Sequence, residues 1–188
     1  MLAIGQAEQR FNNGFRLEGG AWLYSAYFNA LHRFAADGQP LRYQRSHGAY
    51  ALLEGPLLKS GSDDERGLSG WLRVGLADPI VQDISAYIGG GVVYTGLIDS
   101  RAQDQTGIAI NHAILDRPDL PDPNAARKSS ETTFELSYRY IAKDWLAVQP
   151  DAQFVVHPDG DPRLGTAFVV GVRFSITLTK NLAAKIKS

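Results

Sequence analysis

An all-β chain, folded as an antiparallel meander of about eight strands, is what this sequence predicts, and three observations predict it. Apolar residues recur at every second position through most of the chain, which is the period of a strand and not of a helix. The face that carries them holds almost no charge on any strand. No amphipathic helix of useful length competes with this pattern.

The elements follow in order. Residues 1–13 read as a lead-in. The first strand is expected at Gly14–Phe28, with Phe15, Leu17, Ala21 and Leu23 on one face and Arg16, Glu18, Trp22 and Tyr24 on the other. His47–Lys59 and Gly67–Ala77 follow, the latter setting Trp71 and Arg73 opposite its apolar residues. Ile84–Leu97 and Thr106–Leu115 come next. Thr133–Ile141 is the clearest case: Phe134, Leu136, Tyr138 and Tyr140 alternate with Thr133, Glu135, Ser137 and Arg139. Trp145–His157 places Gln149, Asp151 and Gln153 on its polar side, and Pro150, which lacks an N–H, is expected to mark a bulge. Phe168–Leu178 closes the series, with Arg173 among its small and polar positions. Residues 14–178 therefore form one wall. Only Asn29–Ala36, inside a loop, and the tail 179–188 carry any helical signature.

Composition bounds what such a wall can be. The 188 residues include 19 basic and 20 acidic side chains, so the formal charge of -1 provides no electrostatic footprint for nucleic acid or anionic lipid. The absence of cysteine excludes disulfides, thiolate nucleophiles and zinc-ribbon spacings. No apolar run approaches the roughly 18 residues of a membrane-crossing helix. A mean hydropathy of -0.19 is compatible with a barrel wall, because each strand averages an apolar lipid face with a polar lumen face. A soluble sandwich would share the alternation, but its solvated face should carry Lys and Glu. Here the strand charges share the face that also holds Gly, Ser and Thr, as in a wet lumen. Met1–Gly20 contains Glu8, Arg10, Arg16 and Glu18 and no apolar core, so it does not read as a secretory signal, and the chain is expected to be a fragment lacking leading strands.

Connections carry a direction. Phe28 to His47 and Asp116 to Glu131 are long, whereas Ile141–Trp145 is short; long loops outside and short turns inside would end the last strand in the periplasm. Leu76–Asp83, brief, and Lys59–Gly67, fairly long, depart from that asymmetry. Tyr94, Tyr138 and Tyr140 fall near the short-turn ends and suit an interfacial girdle. No catalytic residue, metal or cofactor is predicted. His112 alternates with Ile108, Ile110 and Ile114 and so points away from Ser137, which leaves a Ser–His pair unformed. The two carboxylates of His157-Pro-Asp-Gly-Asp161 fall short of the roughly 6–8 oxygens calcium takes, and the segment reads as a turn.

A series of segments then carries a family resemblance: Gly48-Ala-Tyr-Ala-Leu-Leu-Glu-Gly-Pro-Leu57, Arg66-Gly-Leu-Ser69 leading to Val74-Gly-Leu-Ala-Asp78, Tyr87-Ile-Gly-Gly-Gly-Val-Val-Tyr-Thr-Gly-Leu97, Glu131-Thr-Thr-Phe-Glu-Leu-Ser-Tyr138, and Trp145-Leu-Ala-Val-Gln-Pro-Asp-Ala-Gln153 with the Asp159-Gly-Asp-Pro162 turn. In order and spacing, over roughly Ala21 to Leu178, the chain resembles the C-terminal half of the carbohydrate-selective porins of the OprB type. The resemblance implies half of an outer-membrane barrel of roughly sixteen strands with a water-filled lumen. It implies diffusion of sugars across a Gram-negative outer membrane, with carbohydrate solutes, outer-membrane lipid and the missing N-terminal strands as partners. Two features depart from the family: the N-terminal half is absent, and Thr179–Ser188 with three lysines follow a closing strand that would otherwise end on an aromatic residue. A small closed barrel with a structural or enzymatic role, or a soluble sandwich, would be the alternatives.

For a pore, the working residues are lumen groups that replace water around the solute. Parity selects Arg16, Glu18, Trp22, Tyr24, Trp71, Arg73, Glu135, Arg139, Gln149, Asp151, Gln153 and Arg173. Aromatic planes beside guanidinium and carboxylate groups suit sugars, which present C–H faces and hydroxyl edges. The signs are mixed, and rings of one sign are what strong ion selectivity requires. The same face is too bulky and charged to fill a small closed barrel, so an open half-wall with free first and last edges is expected.

Overall fold

The structure, a computed structural model, describes residues 1–59, 66–116, 129–161 and 163–178. Nine strands are present among them: β1 (Leu2–Arg10), β2 (Arg16–Phe34), β3 (Pro40–Lys59), β4 (Gly67–Ala77), β5 (Ile84–Thr95), β6 (Gln105–Leu115), β7 (Ser130–Lys143), β8 (Leu146–Val156) and β9 (Ala167–Ile176). They form one antiparallel sheet in strict sequence order, and β1 does not pair with β9. The meander and the open edges thus match the alternation in the sequence. The only helical pieces among the described residues are two three-residue 3-10 turns, Asp99–Arg101 and Pro158–Gly160. In the second, His157 and Asp159 take left-handed backbone angles, φ 55° and 56°, and form the expected reversal.

Three expectations are corrected. The lead-in is a strand: β1 pairs with β2 from Leu2↔Tyr24 to Arg10↔Arg16. Its charged residues kept it from reading as one, yet Glu8 and Arg10 alternate with Ala7 and Gln9 on the sheet's polar side. The long loop with a helical signature at Asn29–Ala36 is instead the outer part of a hairpin, β2 running to Phe34 and β3 starting at Pro40. Two β2 residues, Ser25 and Ala26, face only Arg45 at its root, where Arg45 has φ 105°. An extra residue in one strand bends the ribbon there. Pro150 makes no bulge. The ladder to β7 lapses opposite it and resumes unchanged at Tyr140↔Val148, while Pro150↔Val172 keeps the β9 register, so the missing N–H costs a bond but inserts no residue. The residues 60–65 and 117–128 of two predicted connections, and the tail 179–188, lie outside the described residues.

With few fully buried residues, the chain is tied at its ends by local clusters. At the hairpin root, Ala30, Leu31 and Val81 are buried, the Leu31 amide donates to the Ile80 carbonyl at 2.8 Å, and Gln82 Nε2 donates to the fully buried Ser46 hydroxyl at 2.7 Å. At the opposite end, Asp104 in the β5–β6 connection is 4% exposed. Its carboxylate accepts from Arg101 Nε at 2.8 Å, from the Ile141 amide at 2.9 Å and from the Tyr138 hydroxyl, while its carbonyl accepts from the Gly96 amide at 2.8 Å. One acid therefore binds a connection to the far end of β7.

Burial by itself would raise the Asp104 pKa, but the bonds from Arg101, Tyr138 and Ile141 outweigh it and hold it below the ordinary aspartate range. A carboxyl depressed in the folded state stabilises above its unfolded value, about 3.9, and loses that contribution as pH falls through the folded value. Hydrogen exchange should therefore find protection at the Ile141 and Gly96 amides constant from pH 7 to 5 and falling below about pH 4. Asp104→Asn should cost about 1–3 kcal/mol of local opening energy and remove that acid dependence.

Candidate functional site on the polar face

Residues paired across a ladder share a face, so the register sorts every strand. One face carries Leu17 and Leu23 of β2, Leu53 of β3, Leu72, Val74 and Leu76 of β4, and Ile88 and Val92 of β5. It continues through Ile108 and Ile110, Phe134 and Leu136, Phe154, and Phe168 to Phe174. Most of these are strongly exposed, Phe168 at 69% and Ile108 at 61%. The other face is polar and mostly half-buried. A curved sheet crowds side chains on its concave side, and the polar face is the crowded one.

All twelve residues selected by parity fall on that polar face. Arg16 pairs with Glu54, which pairs with Trp71; Glu18 and Arg73 both face Leu52. Trp22 faces Gly48 and Tyr24 faces Ser46. Glu135 faces Gln153, and the two are joined by a 3.2 Å hydrogen bond from Nε2. Arg139 faces Gln105, Asp151 faces Ser137, and Gln149 faces Arg173. Polar-face residues of β1, β3, β5 and β6 that parity did not select also contribute: Gln6, Glu8, Tyr50, Glu54, Tyr87 and Asn111. Glu8 was hidden by the reading of residues 1–13 as a lead-in; Tyr87 and Asn111 sit on strands whose polar side is rich in Gly and Ala, and Tyr50 and Glu54 share theirs with Gly48 and Leu52, so parity had few charges to mark it.

The charges are not evenly paired. Arg16 joins a cluster, donating to Glu8 at 3.0 Å, Glu54 at 2.9 Å and Glu18 at 3.4 Å, with Arg10 on Glu8 at 2.6 Å. Arg73, Arg139 and Arg173 have no carboxylate partner among the described residues. The Arg73 guanidinium instead lies 5.7 Å from the Trp71 ring centre. Donors on this face are therefore available to a solute, and the expected pairing of opposite charges holds only around Arg16. Ser137 is on the polar face and His112 on the apolar one, where its Nδ1 meets Thr132 Oγ1 at 2.8 Å, so these two form no catalytic pair. Tyr94, Tyr138 and Tyr140 share the apolar face near the Asp104 connection, with the Arg101 guanidinium 4.0 Å from the Tyr140 ring centre.

Comparison with known proteins follows the same pattern. The family model described as the carbohydrate-selective porin, OprB family, matches residues 18–178. Porin B of Pseudomonas aeruginosa is 27% identical over 143 residues, covering 68% of this chain and 32% of that protein. The high-pH structure of Pseudomonas putida OprB superposes with a TM-score of 0.78 at 20% identity, covering 93% of this chain and 47% of that one. The low-pH structure of the same protein gives 0.56, with 92% and 54% covered. The chain thus spans about a third of the curated relative's length and about half of the solved chains.

The Arg16 cluster sets a stability test. Arg16→Met should lower the denaturant midpoint of the folded sheet, since three carboxylates lose their shared donor. Arg16→Lys should recover less than half of that, because a point charge cannot span Glu8 and Glu54 as the guanidinium fork does. Denaturant midpoints in detergent would measure both.

Proposed function

The chain belongs to the carbohydrate-selective porin family of the OprB type, and from that premise we propose that it forms half the wall of an outer-membrane barrel through which sugars diffuse. The single observation that carries this reading is the segregation of the sheet: twelve charged, amide and aromatic residues on one face, a continuous apolar band on the other. An exposed apolar band of this extent belongs against lipid hydrocarbon, and the opposite face against water. Tyr94, Tyr138 and Tyr140 sit where a membrane interface would favour an amphipathic ring. With the hairpin end outward, the closing strand would end in the periplasm.

A barrel wall in lipid leaves no edge unpaired, since bare N–H and C=O groups cost several kcal/mol each there. The edges of β1 and β9 therefore need partners. As first and ninth strands of an antiparallel meander, they run in the same direction. An antiparallel closure then takes an odd number of further strands, about seven for a barrel of roughly sixteen. A second copy set upright beside the first would bring β9 against β1 in parallel, which this class of barrel does not use.

Two experiments test the reading. The chain has no cysteine, so single cysteines can be placed at Trp71, Gln153 or Arg173 and at Leu72, Phe154 or Val172 in the bilayer-reconstituted barrel. A membrane-impermeant maleimide should label the first three and spare the second three; equal labelling of both sets would refute the assignment of faces. For solute passage, Arg73→Ala in the completed full-length barrel should lower sugar flux into liposomes by up to about tenfold, the worth of one charge-assisted hydrogen bond, while changing the cation-to-anion permeability ratio less. Unchanged sugar flux, or a change in ion preference alone, would remove Arg73 from the path.

A further inference from the structure

Four aromatic side chains on the polar face lie down along the sheet, and each does so over a glycine. A Cβ built on Gly48 would stand 2.6 Å from Trp22 Nε1, one on Gly20 2.6 Å from the Tyr50 hydroxyl, and one on Gly91 2.9 Å from Trp71 Nε1. The Tyr87 hydroxyl lies where a Cβ on Gly89 would be. At each seat the ring fills space that any other residue would deny it. Two of the rings are also held at their tips: the Tyr50 hydroxyl donates to Gln6 Oε1 at 2.6 Å and the Tyr87 hydroxyl to Asn111 Oδ1 at 2.5 Å. All four remain half-buried, so each keeps a ring face turned away from the sheet.

The rings are also grouped. Gly20, Tyr50, Gly75 and Tyr87 form one cross-strand row on neighbouring strands. A Cβ on Gly75 would meet nothing closer than 3.9 Å, so the space between the two phenols is open. A cleft of about 210 Å³ occupies it, lined by Trp22, Tyr50, Gly75, Tyr87 and Ser85. Two polar-face rows farther along β4, Trp71 carries the Arg73 guanidinium of the intervening row beside its ring.

We infer that Trp22, Tyr50 and Tyr87, seated on Gly48, Gly20 and Gly89 around one cleft, and Trp71, seated on Gly91 farther along the wall, form a run of flat aromatic platforms that bind pyranose rings by their C–H faces. An aromatic face is electron-rich and attracts the weakly positive C–H hydrogens of a sugar ring, and a ring already pinned to the wall loses little side-chain entropy on stacking. Amides, Ser85 and Arg73 at the margins answer the hydroxyls that radiate from the sugar's edge. The ligand is thereby a cyclic sugar, not a polyol of equal hydroxyl count, because only the ring presents a flat apolar face. This deepens the porin reading and rests on it for physiological meaning, but the binding can be measured without flux.

The test uses the full chain folded in detergent, with glucose and the open-chain hexitol sorbitol as probes in saturation-transfer NMR. Irradiating protein aromatic protons should transfer magnetisation to glucose C–H protons at least about threefold more than to sorbitol. Gly48→Ala and Gly91→Ala, whose added methyl meets the indole and also the Leu76 or Ile108 carbonyl, should cut the glucose signal by a similar factor where the variant folds, and so should Gly75→Val, which fills the cleft with the rings in place. Trp71→Leu serves where a glycine variant fails to fold. Gly19→Ala, on the apolar face with 3.8 Å of clearance, should change nothing. Equal transfer to both probes, or an undiminished glucose signal in the folded Gly75→Val and Trp71→Leu variants, overturns the platform. Ring-selective binding by the chain without sugar flux through the completed full-length barrel in liposomes would keep the platform and overturn the porin reading; flux without ring selectivity would do the reverse.

Discussion

The register of the strand ladders is the constraint on which the rest of this molecule depends. Side chains alternate with a period of two, so a slip of one residue between any two neighbours would exchange that strand's faces. Seven ladders in sequence hold the same assignment from Leu17 on β2 to Phe174 on β9. Where the register does shift, as at the hairpin root between Tyr24 and Tyr27 or near strand ends between Pro56 and Leu58 and between Ile141 and Lys143, it does so outside the stretch that carries the apolar band. The sheet has no buried core to correct an error, since few large apolar side chains are enclosed among the described residues. Main-chain hydrogen bonding and the contrast between the two faces do that work.

Within that constraint, the polar face gains its shape from residue size. Glycines at 20, 48, 89 and 91 sit beside aromatic residues and let the rings lie flat, whereas Gly75 leaves a gap between two of them. Alanine at those positions would displace the rings from the sheet and, at Gly48 and Gly91, press on the Leu76 and Ile108 carbonyls. Charge is unevenly distributed: two guanidinium and three carboxylate groups gather around Arg16 near the β1–β2 turn, and Arg73, Arg139 and Arg173 stand without carboxylate partners among the described residues. A face built this way offers donors and planes to a neutral, hydroxylated solute without presenting a single-sign ring to ions.

The ends of the wall are closed off by different means. At one end a bulged hairpin, bent at Ser25, Ala26 and Arg45, is anchored by the β4–β5 connection through Leu31 and Ser46. At the other, Asp104 collects two side chains and a main-chain amide into a knot that fixes a connection against β7. Both are polar solutions, as expected where strands leave an apolar environment and the backbone must find partners of its own.

The amino-acid sequence by itself determined the fold class, eight of the nine strands to within a few residues at most ends, and the face of each of the twelve candidate residues, because a two-residue period is a local property of the chain. It also contained the family likeness, in short motifs whose order can be read without coordinates. Other features depended on pairing between distant segments. Whether Leu2–Arg10 is a strand turned on its ladder with Arg16–Tyr24, where Glu8 meets Arg16 diagonally. Whether the segment after Phe28 is loop or hairpin depended on Tyr43 and Arg42 standing opposite it. The seats of the four rings are likewise invisible locally, since Trp22 and Gly48 are 26 positions apart and only the β2–β3 register makes them neighbours. Tertiary structure decided these because a ladder partner, unlike a side chain's face, is not encoded in the residues beside it.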